Sequence, residues 1–441
     1  MKALLLLAAL ILPALAQEPS QFAPAEARLR LLTGSEGRAL EIDDPGNQAW
    51  RLQSSTDLSS WSDGPTYRAF NGLFRIPLPE VSGRQFFRLN PEAAQPGSST
   101  AASALRLPAL PFNYAQPALP AAFVSNSGPS DNQPADNVVT DAGATLGRVL
   151  FYDKRLSANQ SVSCASCHQR EHGFADPRPL SVGFAGGHTR RNSMGLTNAR
   201  YYRRGRFLWD ERAATLEEQV LMPIQDPIEM GLTLPALITR LEAEPFYQEL
   251  FTSAFGTPEI DSTRISRALA QFIRSIASAK SKFDAGVTIN FSNFTVKEAQ
   301  GRALFTAFSC ATCHFSQNFM PRNPTANGLE FPLADKGMGE VDEDPGAEGL
   351  FKVASLRNVE LTAPYMHDGR FQTLEEVIEF YNSGITPHPN LSRSLTRFAK
   401  PAGMHLNQGQ KDALVAFLKT LTDTSVTTDE KFSDPFRYQA D

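Results

Sequence analysis

All four cysteines of the chain fall in two copies of one pattern, Cys164-Ala-Ser-Cys167-His168 and Cys310-Ala-Thr-Cys313-His314. Two thiols three positions apart, followed at once by an imidazole, are what covalent haem c attachment requires. The thiols form thioethers with the vinyl groups and the histidine reaches the iron. In a chain with only four cysteines and seven histidines, one accidental copy is already rare and two are rarer. A single zinc site built from the four cysteines, or from two cysteines and two histidines, would leave the repeated order unexplained, and a redox dithiol needs only one Cys-x-x-Cys. The sequence therefore predicts two covalently bound haems c, with His168 and His314 as iron ligands.

A length of 441 residues predicts two or three domains. The formal charge of -5 leaves no basic excess, which argues against a nucleic-acid partner. Residues 1–16 read as a signal peptide: Lys2 supplies the charged start, Ala3 to Leu15 the short apolar run, and Ala14-Leu15-Ala16 the small-residue cleavage site. That run is short for a membrane span and no later one is longer, so the mature protein is expected to be exported, periplasmic and not transmembrane.

Residues 24–95 differ in texture from the rest. Short runs of strand-forming residues, Arg28 to Leu32, Ala39 to Ile42, Trp50 to Gln53, Gly72 to Ile76 and Gln85 to Leu89, alternate with Gly, Pro, Asp and Ser clusters. This predicts a small all-β, sandwich-like N-terminal module with Trp50 and Trp61 in its core, followed by an Ala, Ser and Pro-rich linker over 96–118. From Leu119 onward the pattern is mainly α. Ala142 to Tyr152 leads into the first haem motif, the Gly, Pro and Arg-rich stretch from Gly173 to Asn198 suits a loop wrapped around a haem, and Ile260 to Ala279 has helical spacing. Capping pairs Thr215 with Glu218, Thr295 with Glu298 and Thr373 with Glu376 mark further helix starts, and Lys411 to Leu421 forms the last helix. Two c-type cytochrome domains are expected, 119–290 and 291–441.

Over roughly residues 119–425 the chain resembles the bacterial di-haem cytochrome c peroxidases and their relative MauG. The resemblance rests on LGRVLFYDKRLS before the first haem motif, RRNSMGLTN after it, FLWDERAATLEEQ, DPIEMG, the second haem motif and FKVASLRNVELTAPYMHDG. It implies a peroxidatic first haem and an electron-transfer second haem. In the typical peroxidases a loop histidine caps the first iron at rest; Phe184 stands at that place here, which implies an open iron, with His188 as the alternative ligand. The distal ligand of the second haem is a methionine in typical peroxidases and a tyrosine in MauG. Fourteen residues after His367 the chain has Tyr381, with Met366 and Met404 as alternatives. A phenolate is a hard anionic donor that stabilises ferric and higher-valent iron.

The same resemblance assigns Glu229 as the distal acid-base for peroxide and Gln219 as the amide that orients it. It places Trp209 between the haems, Arg357 as a propionate partner of the second haem, and Asn192, Thr362 and Pro364 as ligands of a calcium ion between the haem domains. The implied activity is a periplasmic di-haem peroxidase reducing hydrogen peroxide with electrons from a small redox protein, a cytochrome c or a cupredoxin. The alternative is a MauG-like oxidase that uses peroxide to oxidise tyrosine or tryptophan side chains of a partner protein.

Overall fold

The computed structural model describes residues 28–34, 37–43, 49–68, 73–78, 85–92, 104–108, 110–127, 130–315, 319 and 323–437. The expected signal peptide, residues 1–16, lies outside these residues, as do 96–103 and 109 of the expected linker and the side chain of Trp50. The chain divides into two units, Met1–Phe112 with Phe436–Asp441, and Asn113–Pro435.

Among the described residues, the first unit holds six strands: β1 Arg28–Gly34, β2 Gly37–Asp43, β3 Ala49–Ser55, β4 Ser62–Arg68, β5 Leu73–Leu78 and β6 Phe86–Glu92. They form two antiparallel three-stranded sheets, ordered β1-β2-β5 and β4-β3-β6. Strand β4 was not expected, because Gly64-Pro65 reads as a turn. It is tolerated at a sheet edge, where the missing N–H of proline costs no central ladder bond, and the register with β3 shifts between Arg51 and Gln53 opposite that pair. The half-buried Trp61 ring carries the Arg88 guanidinium 4.2 Å from its centroid.

The second unit is mostly helical and repeats one arrangement twice. In the first half, α1 (Asp141–Tyr152) packs on α2 (Ser262–Ser275); in the second, α3 (Val296–Ala307) packs on α4 (Gln408–Lys419). Each start is fixed by a side chain that accepts an otherwise orphaned backbone N–H: Thr140, Asp261, Thr295 and Asn407. Each crossing closes on a glycine. A Cβ at Gly147 would lie 2.0 Å from the Ala268 carbonyl oxygen, and one at Gly301 would lie 1.9 Å from that of Ala413. Only hydrogen fits at either point, so the paired helices meet backbone to backbone.

A second repeated device is an asparagine in the left-handed region. Asn198 (φ 61°) donates its N–H to the Ile276 carbonyl and accepts from the Ser278 N–H through its side chain; Asn358 (φ 61°) does the same to Leu421 and Asp423. Each hook ties the loop after a haem motif to the chain beyond the half's last long helix. Two helices not expected from the sequence, Leu234–Glu242 and Pro245–Phe255, each carry proline in the first turn, where its missing N–H has no intrahelical acceptor to lose. The C-terminal segment then returns to the first half. Tyr114, Arg148 and Tyr152 donate to the carbonyls of Lys431, Glu430 and Phe432, and the Phe432 ring packs against Phe174 and Phe272.

Candidate functional site

Each Cys-x-x-Cys forms a single helical turn, Cys164–Cys167 and Cys310–Cys313, and the following histidine closes it by donating its N–H to the first cysteine's carbonyl at 2.9 Å. The turn brings both thiols and the imidazole to one side. Beyond each motif the chain doubles back through a left-handed phenylalanine, Phe174 (φ 63°) or Phe319 (φ 51°). The carbonyl so presented lies 2.9 Å from His168 Nδ1 in the first half and 3.2 Å from His314 Nδ1 in the second. A carbonyl can only accept, so each Nδ1 carries the proton and each Nε2 keeps its lone pair for a metal. Burial lowers the pKa of both rings, that of His314 to about 4, which keeps them in the neutral form that ligates.

These donors fit haem c. The four cysteines are free of disulfides, and burial raises the thiols of Cys164 and Cys310 to about 12. Among the described residues no three His, Cys, Asp or Glu side chains converge as a metal cluster. His168, Cys310, Cys313 and His314 all border one cavity of about 700 Å³, in the upper part of the range for ligand pockets. Cys164 and Cys167 lie outside its lining.

The acid-base and amide expected on the sequence border the same cavity: Glu229, half-buried, and Gln219, the last residue of the short helix Leu216–Gln219. Burial and then the negative charge of Asp226 raise the Glu229 carboxyl to about 7, against a smaller opposing pull from Arg212. The Glu229 carbonyl accepts the Phe184 N–H at 3.0 Å, so the phenylalanine loop is tied to the acid's backbone. The Phe184 ring lies against Gly231, and neither Phe184 nor His188 lines the cavity; His188 is exposed.

Trp209 borders the cavity, and its indole N–H donates to the Asn192 carbonyl at 2.8 Å. The Asn192 peptide N–H in turn donates to the His367 carbonyl, and its carboxamide nitrogen to the carbonyls of Arg178 and Pro179. Spending the nitrogen this way leaves the carboxamide oxygen as the donor atom for a cation. Asn192, Thr362 and Pro364 all line the cavity. His367 is buried and stacks on Phe351 with 4.0 Å between ring centroids. Arg357 reaches the cavity too, but both its terminal nitrogens lie 2.8 Å from oxygens of the Asp284 carboxylate, one on each.

Tyr381 stands in a wide π-type turn, Phe380–Gly384, that ends the helix Leu374–Glu379. Burial pushes its hydroxyl up to about 12, and Asn327 works against that shift by donating to the phenol oxygen at 3.5 Å. The same Asn327 nitrogen lies 3.6 Å from the Met366 sulfur, and Met404 also borders the cavity, so all three candidate ligands of the second iron face one space. Asn327 escaped sequence reasoning because a lone asparagine in a loop carries no signal.

Residues 141–290 match the family described as di-haem cytochrome c peroxidase. The chain is 32% identical over 293 residues to methylamine utilization protein MauG of Methylophilus methylotrophus, covering 65% of this chain and 84% of that protein. It is 32% identical over 283 residues to cytochrome c551 peroxidase of Nitrosomonas europaea, covering 63% of this chain and 79% of the relative. A solved MauG-like protein associated with microbial copper homeostasis superposes with a TM-score of 0.63 at 32% identity, over 73% of this chain and 99% of that one. The paired haem motifs, the shared cavity and these similarities agree: the chain is a peroxidase-type oxidoreductase that belongs to the di-haem cytochrome c peroxidase family, which includes MauG.

Proposed function

We propose that the protein is an exported, periplasmic enzyme that reduces hydrogen peroxide to two waters at the first haem, with two protons from solvent and two electrons delivered through the second haem by a small cytochrome c or cupredoxin. The observation that carries this reading is Glu229, a carboxyl raised to about 7 that borders the cavity with His168 and Gln219. Held by Cys164, Cys167 and His168, and by Cys310, Cys313 and His314, the two haems supply the redox equivalents and the Lewis-acidic irons. In this reading the Glu229 carboxylate takes the proton from the inner oxygen of peroxide and returns it to the outer one, so that water leaves rather than hydroxide. Gln219 orients peroxide by hydrogen bonding, and Trp209 gives electrons a stopping place between the haems. Tyr381 holds the second iron, Asn192, Thr362 and Pro364 hold a calcium ion, and the division into two haem domains falls near residue 291. The N-terminal strands form a separate β module.

A second reading, the MauG-like oxidase acting on side chains of a partner protein, is favoured by Tyr381 and its Asn327 contact at the cavity. The two separate on turnover. The as-isolated protein, given peroxide and a reduced small cytochrome, is expected to oxidise the cytochrome catalytically. Failure to turn over, together with a long-lived oxidised state, favours the oxidase.

A further inference from the structure

Among the described residues, five cationic side chains border the haem cavity: Arg190, Arg191, Arg212, Lys352 and Arg357. Four are neutralised by the protein. Arg190 pairs with Glu340, Arg191 with Asp210 and Asp335, Arg212 with Asp210, and Arg357 with Asp284. Lys352 has no carboxylate partner among the described residues, although it is only 7% exposed. Its ammonium rests instead 3.7 Å from the Met194 sulfur, 4.5 Å from the centre of the Tyr202 ring and 5.5 Å from that of Phe207. The nearby Glu211 carboxylate is taken up by the Tyr202 hydroxyl and by Arg204.

Aromatic faces and a thioether offset only part of the cost of burying an ammonium. Burial draws its pKa down to about 8, so at neutral pH the cation is still the major form. An unpaired cation on a cavity wall calls for an anion in the cavity. The groups that fill this space carry their own, since each haem has two carboxylate tails. Position selects the haem: Met194, on whose sulfur the ammonium rests, belongs to the loop that follows the first haem motif and borders the cavity together with His168.

We propose that Lys352 pairs with a propionate carboxylate of the haem attached at Cys164 and Cys167. A residue that follows the second haem motif thereby sets the charge at the first haem, and its backbone N–H, donated to the Trp209 carbonyl at 2.8 Å, fixes it to the Trp209 backbone. The inference rests on the two-haem reading.

The test uses the holoprotein with Lys352→Met and Lys352→Arg, measuring covalent haem content, the midpoint potential of each haem and the propionate-bending band of the first haem by resonance Raman. Losing a unit positive charge next to a propionate should cut the reduced-to-oxidised ratio of the first haem, at fixed poise, about tenfold, or about 59 mV for one electron. The band should shift with it, the second haem should hold, and the arginine variant should stay close to wild type. An unchanged first haem, a change confined to the second, or a potential shift without a band shift overturns the pairing. Lys352→Gln repeats the measurement should the methionine variant fail to accumulate. Fewer than two covalent haems in the wild-type protein would instead sink the parent reading, independently of any Lys352 variant.

Discussion

Replacing Glu229 with Gln keeps the size and polarity of the side chain and removes its ability to exchange a proton. A positioned general acid-base contributes about 10²–10⁴-fold, so the variant should react with peroxide at least about a hundredfold more slowly, a barrier increase of about 2.7 kcal/mol or more. The pH dependence follows from the carboxyl's position near 7. The base is about half ionised at pH 7 and about 1% ionised at pH 5, so the wild-type rate should fall roughly fiftyfold between them, while the variant's should stay flat. Stability should move the opposite way. A carboxyl whose folded pKa lies above the usual value near 4.5 costs the folded state nothing while protonated in both states, and its penalty grows as pH rises from there through 7. By pH 8 it amounts to about 3 kcal/mol, so Glu229→Gln should melt higher than wild type at pH 8 and nearly equally at pH 4. Asp226→Asn, which removes the charge that helps raise Glu229, should move the inflection of the rate profile to lower pH. Stopped-flow mixing with peroxide and thermal melts at both pH values read these outcomes. A Glu229→Gln rate within threefold of wild type, or an inflection indifferent to Asp226, would refute the reasoning.

Two further outcomes concern the metal centres. Tyr381→Phe should change the absorption of the second haem alone, and Asn327→Ala, which removes the contact that opposes the rise in the phenol's pKa, should weaken the same band; an unchanged spectrum takes the tyrosine off the iron and leaves Met366 or Met404. Chelation of calcium, or Asn192→Ala, should slow electron transfer between the haems about tenfold or more, since supporting groups around a metal typically count for that much and the Asn192 carboxamide ties down, through the Arg178 and Pro179 carbonyls, the loop whose backbone carbonyl holds the Trp209 indole. Chelation should be reversible on adding calcium, and full turnover in protein shown by metal analysis to be calcium-free would remove the ion from the site.

What could be read from the sequence was whatever is written in local chemistry. The haem turns follow from residue spacing, and helix starts at Thr295 and Thr373 follow from reciprocal capping pairs that the structure forms. The expected helix from Ala142 to Tyr152 is α1 almost residue for residue, because its apolar face is buried against α2 and the helix Pro245–Phe255. Long-range facts were not legible. Gly147 and Gly301 look like ordinary helix-weakening residues until a second backbone is placed against them. Lys352 sits inside a quoted motif, yet its isolation is defined by the carboxylates that four arginines have already taken. The π-type turn at Tyr381 depends on one hydrogen-bond shift that leaves no compositional mark.

The returning C-terminal segment bears on how the protein is made. The side chains of Tyr114, Arg148 and Tyr152 donate to carbonyls of residues 430–432, and the first-half aromatic core of Phe174 and Phe272 is joined by Phe432. A chain delivered N-terminus first presents Cys164 and Cys167 long before that closing piece arrives. The first attachment motif thus sits in an unfinished half until residues 430–432 emerge to pair with it.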